Sequence, residues 1–419
     1  MLCDMNKIIL IQSSLRALAK NKIRSALTIL GISIGITAVI VVMSAGQSLR
    51  AFVGGQMDIF GPNLIQVETK VPSTKKNSTE NAMGMATGIT ITTLTLDDSE
   101  AIAKLNNVEA ISPGLTGQEL VSFRDQIKKT MLWGTSEDIL KINRVELAEG
   151  RVFSKEENLG LAKVAILGSK VKEKLFGDSD ALGQDIKIER TNYHVIGVLA
   201  KQGTAGAMDM DSIVYLPVKT LQKSILGIDH VLFISLVVKD MALADYTADE
   251  IIGLLRQRHN ISDPDKDDFS VTTMAEAQDM INTIFNGLTF LLLALVAVSL
   301  LVGGVGIMNI MYVTVSERTY EIGLRKAVGA REKDIFWQFL FEAIIMTLVA
   351  GAIGIVVGIS LSYLISFVAS SQGFDLPFSL SYSGILIAVI FSASVGLIFG
   401  LTPARRAAQL DPVVALRQE

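Results

Sequence analysis

A single cysteine, Cys3, stands in 419 residues, which excludes an intramolecular disulfide framework and a zinc site built on several thiolates. The three histidines, His194, His230 and His259, are scattered and add no metal cluster. Charge is sparse at 19% of residues and sums to a formal −4, so the chain is not a generally basic nucleic-acid binder. No segment reads G-x-x-x-x-G-K-[ST]; Gly303, Gly304 and Gly306 lie in an apolar run, where close helix packing is the expected use of glycine and no phosphate could be cradled. No catalytic residue, cofactor site or metal site is expected in this chain. What it has instead is apolar mass. Half of its residues are hydrophobic and the mean hydropathy is +0.44, so part of it belongs in lipid.

Four stretches lack charge over a bilayer thickness of about 20 helical residues. The first is 26–46, preceded by basic residues and followed by no small-residue cleavage signature, so it is read as retained rather than removed as a signal peptide. The second uncharged run, 280–316, exceeds one membrane thickness even with tilt, so its helix is expected to project as an outer stalk. Its span with stalk is placed at 283–315. The third span covers 336–369 and the fourth 383–403. Lysine and arginine flank the spans on one side only: Lys7, Arg16, Lys20, Lys22 and Arg24 before the first, Arg318, Arg325, Lys326, Arg331 and Lys333 between the second and third, and Arg405, Arg406 and Arg417 after the fourth. The loop 370–382 has none. Because cytoplasmic segments retain positive charge, both termini and the 316–335 loop are expected inside, in a multi-pass protein of the cell (inner) membrane. The expected N-terminal piece is a cytoplasmic amphipathic segment, 1–25, and the tail is 404–419.

Residues 47–282 then face outward, enough for one large or two small domains. They hold 25 lysines and arginines against 33 acidic residues, a net −8 that a solvated, translocated surface accounts for. Within them Val71–Thr95 is rich in Ser, Thr, Asn and Gly and predicts a mobile loop. Alternation in Asn63–Glu68 and Asp185–Glu189, and β-rich runs at Tyr193–Leu199, Phe233–Val238 and Phe269–Thr273, predict strands, with a hairpin turning at Arg190 to Asn192. Thr95 with Asp98 three residues on predicts a capped helix start, and Thr247–Arg258 a second helix. No internal repeat is present. The fold class is therefore a polytopic α-helical membrane protein with four transmembrane helices and a large α+β extracytoplasmic domain inserted between helices 1 and 2.

Small-xxx-small pairs at Gly31 and Gly35, Gly354 and Gly358, and Gly396 and Gly400 predict close helix packing or dimerisation in lipid. Glu342 is an acidic residue inside the third span, a candidate for a transport or gating role or for pairing with a basic neighbour near the interface; no second intramembrane carboxylate completes a proton relay. The 316–335 loop interleaves charge of both signs with Ile322, Leu324 and Val328, and Glu321 and Arg325 form an i,i+4 pair on a short helix. Such a segment is either a docking surface or an interfacial linker helix.

Four blocks in order carry a resemblance. They are SLRALAKNKIRSALTILGISIGI from Ser14; GRVFSKEENLGLAKVAILGSKVKEKLFG from Gly150 with DALGQDIKIERTNYHVIGVL after it; NIMYVTVSERTYEIGLRKAVGAREKDIFWQFLFEA from Asn309; and TPARRAAQLDPVVALRQE from Thr402. They resemble MacB-type and FtsX-like ABC transporter permeases. The resemblance implies a permease chain acting as a dimer, expected to be a homodimer, driven by a separate cytoplasmic ABC ATPase dimer that carries ATP and Mg. It implies contact with that ATPase through the loop, at Glu317, Arg318, Glu321, Arg325 and Lys326, and through the tail, at Arg405 and Arg406. It further implies an outer domain with an inserted subdomain at roughly 118–207, and a stalk that conveys ATPase closure outward, for export or extraction of a hydrophobic or amphipathic substrate such as a peptide, a macrolide-like drug or a lipoprotein. A periplasmic adaptor is a further implied partner. With about 25 residues ahead of the first span, the split form without a fused ATPase domain is expected. Two alternatives stay open: an FtsX-like transmitter that controls an outside partner such as a cell-wall hydrolase without moving solute, and a stand-alone four-span receptor.

Overall fold

The computed structural model describes residues 22–58, 61–72, 91–205, 208–371 and 376–417. Most of the 1–25 segment and most of the loop expected over Val71–Thr95 lie outside those residues. In chain order the longer helices are α1 (Lys22–Asp58), α2 (Leu96–Ile102), α3 (Ser169–Phe176), α4 (Ala244–Arg258), α5 (Met274–Glu317), α6 (Thr319–Ala327), α7 (Glu332–Ser371), α8 (Tyr382–Ala408) and α9 (Pro412–Arg417). The strands are β1 (Leu64–Thr69), β2 (Val108–Phe123), β3 (Gln126–Thr135), β4 (Leu147–Gly150), β5 (Val164–Leu167), β6 (Asp185–Ile188), β7 (Thr191–Leu199), β8 (Thr204–Ala205), β9 (Met208–Asp209), β10 (Ile213–Pro217), β11 (Phe233–Val238) and β12 (Phe269–Thr273). The chain divides into two units, residues 1–52 with 282–419, and residues 53–281.

In the first unit, α1, α5, α7 and α8 are each long and apolar enough to cross a membrane. A helix satisfies its backbone internally, which is what lipid demands. With lipid as apolar as leucine, contact between helices depends on close packing rather than on escape from water. The buried positions follow a helical period: Ile32, Ile36 and Ile40 on α1, Leu300, Ile307 and Met311 on α5, and Phe339, Ala343 and Ala350 on α7. Large apolar side chains such as Phe290, Val302 and Val356 face outward, as a lipid-facing surface requires.

Glycine sets the closest approaches. A Cβ on Gly354 would lie 2.8 Å from the Ser33 carbonyl oxygen and 2.9 Å from Ile36, and one on Gly358 would lie 2.7 Å from Ile40, so α7 touches α1 almost backbone to backbone. The Thr37 hydroxyl donates to the Gly354 carbonyl at 3.0 Å along the same seam. Gly396 and Gly400 of α8 face Thr347 and Ala343 of α7, and Gly35 faces Leu300 of α5. Gly31 meets nothing within 4 Å, so a side chain there would enter open space. Gly303 and Gly304 sit against Ile32 and Phe399, the packing role expected of them.

The second unit is built on a ten-stranded sheet in the order β12-β1-β11-β2-β3-β10-β5-β7-β4, with β6 pairing β2 and β7. Most pairs are antiparallel, whereas β10 with β3 and β5 with β7 are parallel. The alternation read at Ile65 and Val67, and at Ile186 and Ile188, turns all four side chains inward. The expected hairpin is β6 with β7, Ile188 opposite Thr191; the turn falls at Glu189 and Arg190, one residue early, with Glu189 left-handed at φ 52°. The β2–β3 hairpin went unanticipated. Pro113, Gly114 and Gly117 interrupt the β-rich run of β2, and its tight turn uses Arg124 at φ 50° instead of a glycine signal. The first half of β2 pairs with β11 and the second with β3, so this strand joins the two ends of the sheet.

α4 buries Thr247, Ala248, Ile251 and Leu255 along one stripe, and its C-terminal end is fixed by charge. His259 Nδ1 lies 2.8 Å from Asp268 Oδ1 and its Nε2 lies 3.5 Å from Asp98 Oδ2, while Arg258 donates to Asp98 at 2.6 Å. Asp98 also accepts from the Thr95 amide and hydroxyl, as the sequence pattern anticipates. The hydrogen bond to Asp268, and then the Asp98 carboxylate 3.5 Å from Nε2, push the His259 imidazole up to about 9. Burial alone would raise the Asp98 carboxyl, yet the nearby His259 imidazole and hydrogen bonds from Arg258 and Thr95 hold it well below the usual range. A cationic imidazole between two carboxylates therefore joins the start of α2 to the end of α4.

Candidate functional site

The segment between the second and third spans folds as α6, a nine-residue helix with Glu321 in its first turn and Arg325 and Lys326 in its last, the order that suits the helix dipole. A second short helix, α9, lies against it. α9 starts at Asp411-Pro412: the Asp411 carboxylate accepts from the Val413 amide at 2.8 Å, and Pro412 occupies a position where a missing N–H costs nothing. Gly323 makes the contact possible, since a Cβ there would stand 2.8 Å from that of Ala415. Ile322 and Ala415, each 1% exposed, fill the seam.

Each charged residue expected to meet a partner has a definite place. Lys326 turns inward. Its ammonium donates to the carbonyls of Ala408 at 2.7 Å and Leu410 at 2.8 Å, with Glu332 3.6 Å away, and so satisfies carbonyls that the end of α8 leaves open. Arg325 is divided between Glu321, 2.6 Å away on its own helix, and the Gln338 side chain of α7 at 2.9 Å. Arg318 reaches Glu342 at 3.3 Å; that carboxylate is 5% exposed, so Arg318 supplies the positive charge that a carboxylate buried among apolar helices requires. Glu317, Glu321 and Arg405 are exposed. Arg406, also exposed, lies 5.4 Å from the Tyr312 ring centroid, a cation–π contact with α5.

The structure thus joins Lys326, Arg325 and Arg318 to α8 and α7 and makes α6 with α9 a plate fixed to the helix ends. Both helices of that plate expose apolar side chains. Tyr320, Leu324 and Val328 of the α6 segment and Val413 and Val414 of α9 are all exposed, Val328 at 83%. Leu324 and Val328 were read within the mixed-charge pattern, whereas Val413 and Val414 were not singled out; the Asp-Pro helix start at Asp411-Pro412 is the signal that would have found them. Among the described residues no group of three His, Cys, Asp or Glu side chains could hold a metal ion.

Four membrane-crossing helices, a large α+β extracytoplasmic domain between the first two, and this plate define a four-span membrane protein built as a permease. The chain belongs to the MacB-like and FtsX-like ABC permease family: residues 25–254 match the MacB-like periplasmic core domain and residues 293–412 the FtsX-like permease C-terminal region. It is 35% identical over 96% of its length to the macrolide export ATP-binding/permease protein MacB of Bdellovibrio bacteriovorus, covering 61% of that protein. It is 39% identical over 96% of its length to MacB of Chlorobaculum tepidum, covering 60%, and 35% identical over 98% to the pyoverdine export ATP-binding/permease protein PvdT of Pseudomonas syringae pv. tomato, covering 59%. The chain therefore spans about three fifths of the length of these relatives.

Proposed function

We propose that this chain is the membrane permease component of an ATP-driven exporter, docking an ABC-type ATP-binding component through the outer side of the α6–α9 plate. ATP and Mg belong to that component. In this reading the plate and both termini lie on the cytoplasmic side of the cell membrane, in keeping with the lysine and arginine bias, and two permease chains work as a dimer. Closure of the ATP-binding components would press on the plate. The Lys326 and Arg325 bonds would pass that load to α8 and α7, and α5, one helix from Met274 to Glu317, would carry it toward the outer domain. The exported class would be hydrophobic or amphipathic, in line with the printed names of the relatives.

The observation that carries the proposal is the exposure of five apolar side chains, Tyr320, Leu324, Val328, Val413 and Val414, on helices held by internal bonds, with the Glu321–Arg325 pair also exposed on α6. Exposed apolar side chains interspersed with charge suit a protein partner better than water. The test is co-purification of the cognate ATP-binding component with the chain in lipid nanodiscs. Val328→Asp, which changes an 83% exposed side chain and leaves the plate's internal bonds alone, should reduce recovery at least tenfold. Wild-type recovery from that variant would refute docking through this side. A transmitter that moves no solute would use the same plate and stroke; transport of a labelled amphipathic substrate into vesicles separates the two.

A further inference from the structure

Within the first unit the seam between α1 and α7 changes character along its length. On its inner half Gly354 meets Ile36 and the Ser33 carbonyl, Gly358 meets Ile40, and the Thr37 hydroxyl donates to the Gly354 carbonyl. Residues four apart stay on one face of a helix, so the register that sets Ile36 against Gly354 and Ile40 against Gly358 carries Ser44 to Ser362 and Ser48 to Ser366 further out. Two of these serines lack what buried hydroxyls need. Ser44 is 1% exposed and Ser362 8%, and among the described residues neither hydroxyl has a hydrogen-bond partner. Neither folds back onto its own helix, as Thr289, Thr314 and Ser360 do by donating to the carbonyl four residues earlier. A buried hydroxyl without a partner is costly, so the closed seam holds an unmet demand for water.

One turn further out the same two faces are satisfied, by a segment that crosses them. The Ser379 amide donates to the Ser48 hydroxyl at 3.2 Å, the Ser379 hydroxyl donates to Gln47 Oε1 at 3.5 Å, and the Ser366 hydroxyl donates to the Leu376 carbonyl at 2.6 Å. Residues 376–381, just ahead of α8, therefore form a strap that bridges α1 and α7 at the mouth of the seam. Ser381, 1% exposed, anchors the far end of the strap, its hydroxyl accepting from the Gly384 amide at 3.0 Å. The three ties to α1 and α7 are neutral hydrogen bonds that water can replace, whereas the glycine contacts of the inner half are backbone packing that water cannot.

We infer that the outer end of the α1–α7 seam opens: the 376–381 strap releases Ser48 and Ser366, and water reaches the hydroxyls of Ser44 and Ser362. Opening exchanges three strap bonds for bonds to water and answers two hydroxyls that have none while the seam is shut, so the two arrangements are closely balanced. The inner half stays closed on Gly354 and Gly358 and serves as the pivot. α1 runs on to Asp58, past the end of the first unit at Phe52, so the opening lies on the helix that leads out of the bundle. The device is independent of whether the chain exports or signals.

The experiment is cysteine accessibility in the full chain in nanodiscs, with Cys3→Ser as the background. Single variants Ser44→Cys and Ser362→Cys, which keep nearly the size of serine, are exposed to a small cationic methanethiosulfonate, and the gain in intact mass is followed with time. Two controls bracket them: Ile36→Cys, on the inner seam at 0% exposed, and Leu361→Cys, beside Ser362 but 41% exposed on the outside of the bundle. Both serine positions should react at least tenfold faster than either control, because only water brings the charged reagent to a thiol. Adding Ser48→Ala with Ser366→Ala, which removes two of the strap's ties, should speed the reaction of Ser44→Cys at least fivefold. Reaction at both serine positions no faster than at Ile36→Cys would show that the seam stays shut and overturn the opening. Equal reaction at Leu361→Cys would overturn the seam as the route of entry, and an unchanged rate in the alanine variant would overturn the role of the strap.

Discussion

Lys326 shows how one side chain read as a docking charge acts within the fold. Its ammonium answers two carbonyls at the end of α8, and charge-assisted bonds of this kind contribute roughly 1.5–3 kcal/mol each. Lys326→Met should therefore lower the unfolding temperature of the first unit in detergent and loosen the tail, read as faster amide exchange over residues 408–417; unchanged exchange would show that the bonds hold nothing. His259 offers a second test, because its charge is tied to pH. Its pKa is raised from 6.5 to about 9, so its stabilising contribution is complete below about 6.5 and is lost as pH rises through about 9. Asp98 and Asp268 have the opposite sign: burial opposes their charge, the His259 imidazole between them outweighs it together with the Arg258 and Thr95 bonds to Asp98, and their contribution is lost as pH falls through their lowered values. Exchange protection at the start of α2 and the end of α4 should thus hold from about pH 5 to 6.5 and fall toward pH 9. His259→Gln should remove that alkaline dependence and cost on the order of 2 kcal/mol. A variant with the wild-type pH profile would mean that another group titrates.

Among elements, the contact of α7 with α1 is the most sharply specified. Gly358→Val would force a side chain into Ile40, and overpacking of this kind costs about 1–3 kcal/mol. The same change at Gly31, which meets nothing within 4 Å, should leave the melting temperature in nanodiscs within error. Equal effects at both positions would mean that the motif, rather than the contact, matters. The four spans could be read from sequence because lipid imposes a long uncharged run on any helix that crosses it. β1 and β6 were also legible, since one buried face leaves a period-two pattern, and β7, β11 and β12 were legible as runs rich in β-branched and aromatic residues. β2 and β3 were not: a strand that carries Pro113 and two glycines and turns on Arg124 violates each local rule, and its pairing with β11 and β3 supplies what the local sequence lacks. At the candidate site, charge was legible but its direction was not. Whether a lysine reaches out or folds back onto Ala408 depends on where an element 82 residues away ends. Glu342 shares this limit, because its partner Arg318 lies 24 residues earlier, at the turn between α5 and α6.

For the molecule as a whole, the central claim is that the α6–α9 plate receives force from an ATP-binding component. Glu321 is exposed and, among the described residues, pairs only with Arg325 four residues on, an exposed contact that contributes about 0.5 kcal/mol, so reversing its charge should spare the fold and alter what a partner meets. The most direct measurement is the ATPase rate of the cognate ATP-binding component with this chain in nanodiscs, wild type against Glu321→Lys, at matched insertion and melting temperature. The expected result is stimulation by the wild-type chain that falls at least fivefold in the variant. Equal stimulation by both chains, or none by either with a demonstrably active ATPase, would contradict force transmission through this plate.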